Sequence, residues 1–401
     1  MPSETPPAPL QTPGATVSGA RPAVWPALAA FVVVAGALYL VMGLIPSHLP
    51  IPRGPRLQAS FSPSWLRGWA QWDSGWYARI ADDGYAYVPG RQSSVAFFPA
   101  YPLMMAIVGQ VVGNTYRAGV LVTLSAGAAV AVLLFTWLRA RLAPAAAWSA
   151  LGAFLLFPYA FYLYGAVYAD ALFIAAVLGA FLLLDANRPL LAGLAGAVAT
   201  AARPVGVILV VALAVRALER RGALRPAGGG LVDWRRARWA DAGVLLSALG
   251  LAAWCVYLWA RFGDPLAFAS VQRAWDQAAG PHTWLKVQFF RDMTDLRSPR
   301  AWVLFMAHPV LTLAAACLVP RVFRRFGVGY GVFTLLLIGM SALSTKNFFG
   351  MARYLLAAFP CFAVLGELLI ERPGLRRWAL STSGVGLLGL TVVFGTGYYL
   401  S

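Results

Sequence analysis

The stretch AVWPALAAFVVVAGALYLVMGLI, residues 23–45, carries no charged side chain. As a helix rising 1.5 Å per residue it would cover about 34 Å, enough for the roughly 30 Å hydrocarbon core of a bilayer. No strongly basic segment precedes it, so it reads as a retained first span rather than a cleaved signal peptide. Upstream, residues 1–22 are rich in Pro, Ser, Thr and Ala and read as a disordered cytoplasmic tail. Downstream, apolar blocks recur at about 97–113, 117–138, 146–166, 168–186, 190–215, 241–260, 301–319, 327–344, 350–370 and 379–399. The expectation is an all-α, polytopic transmembrane protein of roughly 10–12 spans, with one multispanning domain over residues 23–401.

Composition agrees. The 401 residues are 60% hydrophobic and 12% charged, against about 45–50% and about 25% in soluble domains. Too little polar surface remains to coat a water-soluble globule. The net charge is +17, and its placement says more than its size. Arg216, Arg220, Arg221, Arg225, Arg235, Arg236 and Arg238 crowd one loop, residues 216–240, with only Glu219 and Asp233 against them. Such a loop obeys the positive-inside rule and reads as cytoplasmic; nucleic-acid binding would need the patch on a soluble fold. Shorter basic turns at Arg321, Arg324 and Arg325 and at Arg372, Arg376 and Arg377 read the same way. Polar loops at 46–95 and 261–300 then fall outside the cell. Arg139 and Arg141 also ask for the cytoplasmic side, whereas simple alternation puts them outside, so the parity of spans two to six stays open. Cys255, Cys317 and Cys361 lie in apolar blocks without a CxxC pair, and His48, His282 and His308 are scattered, so no metal or other cofactor is signalled.

The first polar loop holds the chemistry. Ser62 and Pro63 suit a helix start and Gly84 a stop. Between them Trp65, Trp69, Trp72 and Trp76 would share one face of a helix lying in the membrane–water interface, the depth indole prefers. Asp73 sits beside that stripe, where a carboxylate is costly to desolvate unless it has a partner or a task. Asp82 and Asp83 lie within helical reach of Arg79 and read as structural.

The run Trp72-Asp73-Ser74-Gly75-Trp76-Tyr77, then Ile80-Ala81, Gly84-Tyr85 and Ala96-Phe97-Phe98-Pro99-Ala100-Tyr101-Pro102, resembles the signature of the glycosylphosphatidylinositol mannosyltransferase II family and its bacterial homologues. Tyr168-Ala169-Asp170-Ala171-Leu172-Phe173, Arg203-Pro204, Gly263-Asp264-Pro265 and Arg353-Tyr354 with Phe359-Pro360 echo the family further along the chain. Two positions depart from it. Gln92 stands where an acid is expected shortly before Ala96-Phe97-Phe98-Pro99, which puts a two-acid or metal-bridging role for the loop in doubt. Asp170 stands for a glutamate, keeping the charge with a shorter reach.

The resemblance implies a C-type glycosyltransferase: a multispanning plasma-membrane enzyme taking a sugar, mannose by the family name, from a polyprenyl-phosphate-linked donor to a lipid or glycan acceptor on the extracytoplasmic face. Membrane lipids are its surroundings and nucleic acid is not a partner. A lipid-linked donor keeps its sugar at the interface, where Asp73 would act as general base in an inverting transfer. Arg203 and Arg353, cations inside apolar blocks, read either as partners of the leaving phosphate or as a structural pair with Asp170. Lys346 and His282 are further candidates on the same side. Trp72, Trp76 and Tyr77 would stack on sugar, line the lipid path, or simply anchor the loop. A different class stays open: a transporter or flippase of a polar lipid, with Asp170, Arg203 and Arg353 lining the path.

Overall fold

The computed structural model describes residues 24–48, 64–224, 232–275, 277, 280–296 and 299–400. The proposed tail over residues 1–22 lies outside them. Nearly all described secondary structure is helical; the exception is one isolated bridge between Leu224 and Val232.

The helices that position the site are α1 (Trp25–His48), α2 (Ser74–Asp83), α3 (Ala100–Val112), α4 (Thr115–Arg139), α5 (Pro144–Leu155), α6 (Asp170–Asp185), α7 (Pro189–Ala202), α8 (Val207–Arg220), α9 (Leu249–Phe262, entered from a 3-10 turn at Trp239–Ala248), α10 (Pro299–Phe326), α11 (Val328–Ser344), α12 (Phe359–Ile370) and α13 (Pro373–Gly395). Five described helical stretches are long and apolar enough to cross a membrane: Trp25–Leu44, α4, Trp239–Phe262, Trp302–Phe326 and α13. The pair Met351–Ala357 and α12 is long and apolar enough only when taken together, and it is bent by 84° at Ala358, as in a broken span or a re-entrant loop. Pro360, two residues into α12, has no N–H to carry the helix across the bend.

Ion pairs mark one end of the bundle. Arg141 and Arg216 both reach Asp185 at the end of α6, and Glu219 accepts hydrogen bonds from the backbone of Val328 and Gly329. Arg325 joins Glu367 at 2.9 Å and the Arg141 carbonyl at 3.1 Å. Arg141 therefore shares an end with the 216–240 loop, where its charge belongs by the positive-inside rule. The parity conflict traces to α3. Its 13 residues span about 20 Å, short of the bilayer. It starts beside Tyr77, whose ring meets that of Tyr101 at 5.0 Å, and leads back to Thr115, which bonds Asp82 at the end of α2. Residues 97–113, expected as a span, are thus an excursion that returns to the end it left.

The expected span 146–166 is also not one helix. α5 stops at Leu155, Pro158 follows, and the chain runs on as largely buried irregular backbone to Asp170. Such backbone survives at depth only with its polar groups satisfied by protein. Here Thr123 Oγ1 donates to the Ala166 carbonyl at 2.9 Å, and Val167 N–H to the Trp69 carbonyl at 3.1 Å. Gly127 on α4 admits this segment: a Cβ there would lie 2.0 Å from the Leu163 carbonyl oxygen.

Candidate active site

Four charged side chains meet where helices begin, end or break. Asp73 opens the first turn of α2, its carbonyl accepting from the N–H groups of Trp76 and Tyr77 at 3.0 and 3.2 Å. Just before it, Trp72 takes a left-handed φ of 53°, a strained conformation for a bulky residue. The Tyr168 hydroxyl braces that turn, accepting from Asp73 N–H at 3.2 Å and donating to the Gln71 carbonyl at 3.3 Å.

Asp170 stands in the first turn of α6, where the helix dipole favours a carboxylate. Arg203 ends α7 in an extended conformation, φ −154° and ψ 147°, as the following Pro204 requires. Arg353 lies on the short turn Met351–Tyr354 that precedes the bend at Ala358.

Arg353 is the hub. Its Nε and Nη2 reach Asp170 Oδ2 at 2.9 and 2.8 Å, and its Nη1 lies 3.7 Å from Asp73 Oδ2. Arg203 bonds the other Asp170 oxygen. Tyrosine faces hold both cations: Arg353 lies 4.5 Å from the ring of Tyr168 and 4.8 Å from that of Tyr162, and Arg203 4.7 Å from that of Tyr354. The four formal charges cancel. Exposure separates their roles: Asp170 is 2% and Arg353 6% exposed, whereas Asp73 keeps 21%. The free space beside the Asp170 pairs is only about 10 Å³, no more than one water fills. Both arginines are therefore occupied by Asp170 in this state, with Asp73 the cluster's outward-facing acid. Burial pushes the Asp73 carboxyl above the usual carboxylate range, and Arg353 offsets part of that.

The tryptophans do not form the expected single-faced stripe. A 3-10 turn ends at Trp69, the chain breaks through residues 70–73, and only then does α2 begin. Trp69 turns inward, fully buried against Tyr39. Trp72 points outward and meets Tyr399 at 4.9 Å, while Trp76 packs between Phe97 and Trp275. The side chain of Trp65 lies outside the described residues. Tyr77 is buried against Phe97 and Tyr101.

His282 is exposed on the turn Pro281–Trp284, and no described contact links it to the four charges. Lys346 lies half-buried on the 345–350 turn, a few residues before Arg353.

Lys286 carries no sequence signature of its role. Its ammonium donates to the Ala342 and Thr345 carbonyls and faces the Phe348 ring at 4.9 Å. Together with Asn347, which donates to Asp292 at 2.6 Å, it ties the 261–300 loop to the 345–350 turn. Burial pushes the Lys286 amine down to about 8. His308 was equally unmarked; its Nδ1 accepts from Ala352 N–H at 3.3 Å, next to Arg353.

No protein-family model and no curated protein sequence matches the chain. Among solved structures it is similar to ArnT from Cupriavidus metallidurans bound to undecaprenyl phosphate. The TM-score is 0.51 at 16% identity, over 91% of this chain and 63% of ArnT. The apo Archaeoglobus fulgidus oligosaccharyltransferase gives a TM-score of 0.48 at 11% identity, over 92% of this chain and 56% of that one. The chain thus spans less than two thirds of either. At these identities what carries over is architecture: the chain shares the all-helical, polytopic membrane fold of the ArnT structure.

Proposed function

We propose that the protein is an inverting membrane glycosyltransferase that moves a sugar, mannose by family resemblance, from a polyprenyl-phosphate-linked donor to a lipid or glycan acceptor on the extracytoplasmic face. The observation that carries this reading is Asp73, a partly exposed carboxylate at a braced, strained turn, held 3.7 Å from a buried arginine. An acid kept for ion pairing alone would sit, as Asp170 does, fully enclosed and fully bonded. The bound lipid phosphate of the similar ArnT structure supports the same class of donor.

Asp73 takes the proton of the acceptor hydroxyl as that oxygen bonds to the anomeric carbon. The bond from that carbon to the phosphate oxygen breaks, and the polyprenyl phosphate leaves with the electron pair. A positioned base supplies about 10²–10⁴-fold. Its basicity benefits from burial, since desolvation raises the carboxyl and a raised carboxyl is the stronger base. Arg353 holds Asp73 in place. Once Asp73 is protonated, Nη1 loses its anionic neighbour and can turn to the departing phosphate; Arg203 reaches it only by releasing Asp170. Lys346, close to Arg353 in the chain, adds positive charge on the same side, and Trp72 and Trp76 frame the approach to Asp73.

The test is transfer itself. The purified protein in lipid vesicles, given polyprenyl-phospho-mannose and candidate glycolipid acceptors, releases polyprenyl phosphate and forms a product of inverted anomeric configuration. Translocation of a polar lipid across the vesicle without transfer from any polyprenyl-phosphate sugar would overturn the reading in favour of a flippase.

A further inference from the structure

At the end of the bundle opposite Asp73, a groove of about 500 Å³ opens between the start of α5 and the ends of α10 and α12, a size typical of ligand sites. One wall is cationic. Arg321, Arg324 and Arg325 fall at i, i+3 and i+4 on α10 and so share a face. Arg325 is committed to Glu367 and to the Arg141 carbonyl. Arg321 and Arg324 are exposed and form no ion pair among the described residues. The other wall is apolar, made by Val364, Leu368 and Ile370 of α12. Glu367 and Glu371 also line the groove, leaving an excess of one positive charge, concentrated on the two unpaired arginines.

We infer that this groove binds an anionic diacyl phospholipid, its phosphate between Arg321 and Arg324 and an acyl chain along the wall of α12. Both halves of the groove ask for that chemistry. Two open guanidiniums suit a phosphodiester, and an apolar wall beside them suits a chain but not a soluble anion. The groove shares its end with Arg141, Arg216 and the basic 216–240 loop, the end the positive-inside rule sets against the anionic cytoplasmic leaflet. This site is separate from the proposed transfer and stands or falls without it.

The experiment titrates the detergent-purified full chain with dioleoyl-phosphatidylglycerol, dioleoyl-phosphatidylcholine or inorganic phosphate and follows the unfolding midpoint. Phosphatidylglycerol raises the midpoint saturably and the other two do not. An arginine near an anionic lipid surface is worth about a factor of five in affinity. Arg321→Gln with Arg324→Gln therefore weakens the response about 25-fold, and Arg324→Gln alone about 5-fold. Should the double variant lower the lipid-free midpoint, the single variant decides. Arg235→Gln with Arg236→Gln, charges elsewhere at the same end, changes affinity less than about twofold. Equal response to phosphatidylcholine, an equal response to inorganic phosphate, an undiminished response in the Arg321/Arg324 variants, or an equal loss in the Arg235/Arg236 variant overturns the inference.

Discussion

Replacing Asp170 by Asn tests the electrostatic core of the site. The side chain keeps its size and one carbonyl oxygen, but the anion that two arginines share is gone, and its amide N–H₂ must face a guanidinium. Arg353 is 6% and Arg203 14% exposed, so water can replace the lost partner only for Arg203. Breaking a buried ion pair from one side costs about 3–5 kcal/mol. Arg353 retains Asp73 at 3.7 Å, a weak substitute, and this places the expected loss near the lower limit, about 3–4 kcal/mol. Denaturant titration in mixed micelles measures it, with Arg236→Gln as control, since that arginine is 59% exposed in its pair with Asp233 and its loss should cost less than about 0.5 kcal/mol. In a double-mutant cycle, Asp170→Asn and Arg203→Gln should couple by more than about 1 kcal/mol. A loss for Asp170→Asn no larger than the control's, or additive behaviour in the cycle, would mean that Asp170 does not neutralise both arginines.

Arg353→Lys keeps the charge but cannot hold Asp170 through two nitrogens and approach Asp73 with a third, so kcat should fall about 10²-fold with KM for the donor little changed; steady-state transfer kinetics read this. Lys286 and Lys346 are the chain's only lysines, so ¹³C-methylation of the amines allows an NMR titration in which one lysine signal moves with a midpoint near 8 and is lost in Lys286→Arg. The sign for stability follows: the folded state releases that proton before the unfolded state does, so the Lys286 contribution to stability rises with pH from about 8 toward the ordinary lysine value. Gly127→Ala should destabilise by about 1–3 kcal/mol, because its methyl would overlap the Leu163 carbonyl, whereas Gly36→Ala, with nothing within 4 Å, should be neutral or better.

The membrane fold was legible because uncharged runs some twenty residues long have few alternatives. The breaks were only partly legible. Arg203-Pro204 and Pro158 announced themselves, but the bend at Ala358 and the return of α3 depend on packing between distant segments. The tryptophan spacing misled because i, i+4, i+7 and i+11 describes a face only while the helix is continuous, and the turn at Trp72 interrupts it. Arg203, Arg353 and Asp170 stood out as charges in apolar surroundings, and the structure brings the three together. That Arg353 also approaches Asp73, and that Tyr168 braces Asp73 through its hydroxyl, required side chains 280 and 95 residues apart in sequence to meet. Lys286 gave no signal at all, because a lysine in a polar loop is ordinary until its surroundings are seen.

If Asp73 is the base of a glycosyl transfer, Asp73→Asn separates chemistry from folding. Burial disfavours the ionised carboxylate, so the isosteric amide should leave the unfolding midpoint at or above that of the unaltered protein. Transfer from polyprenyl-phospho-mannose should fall by at least about 10²-fold with donor binding retained. Undiminished transfer by a folded Asp73→Asn protein would rule out Asp73 as the base.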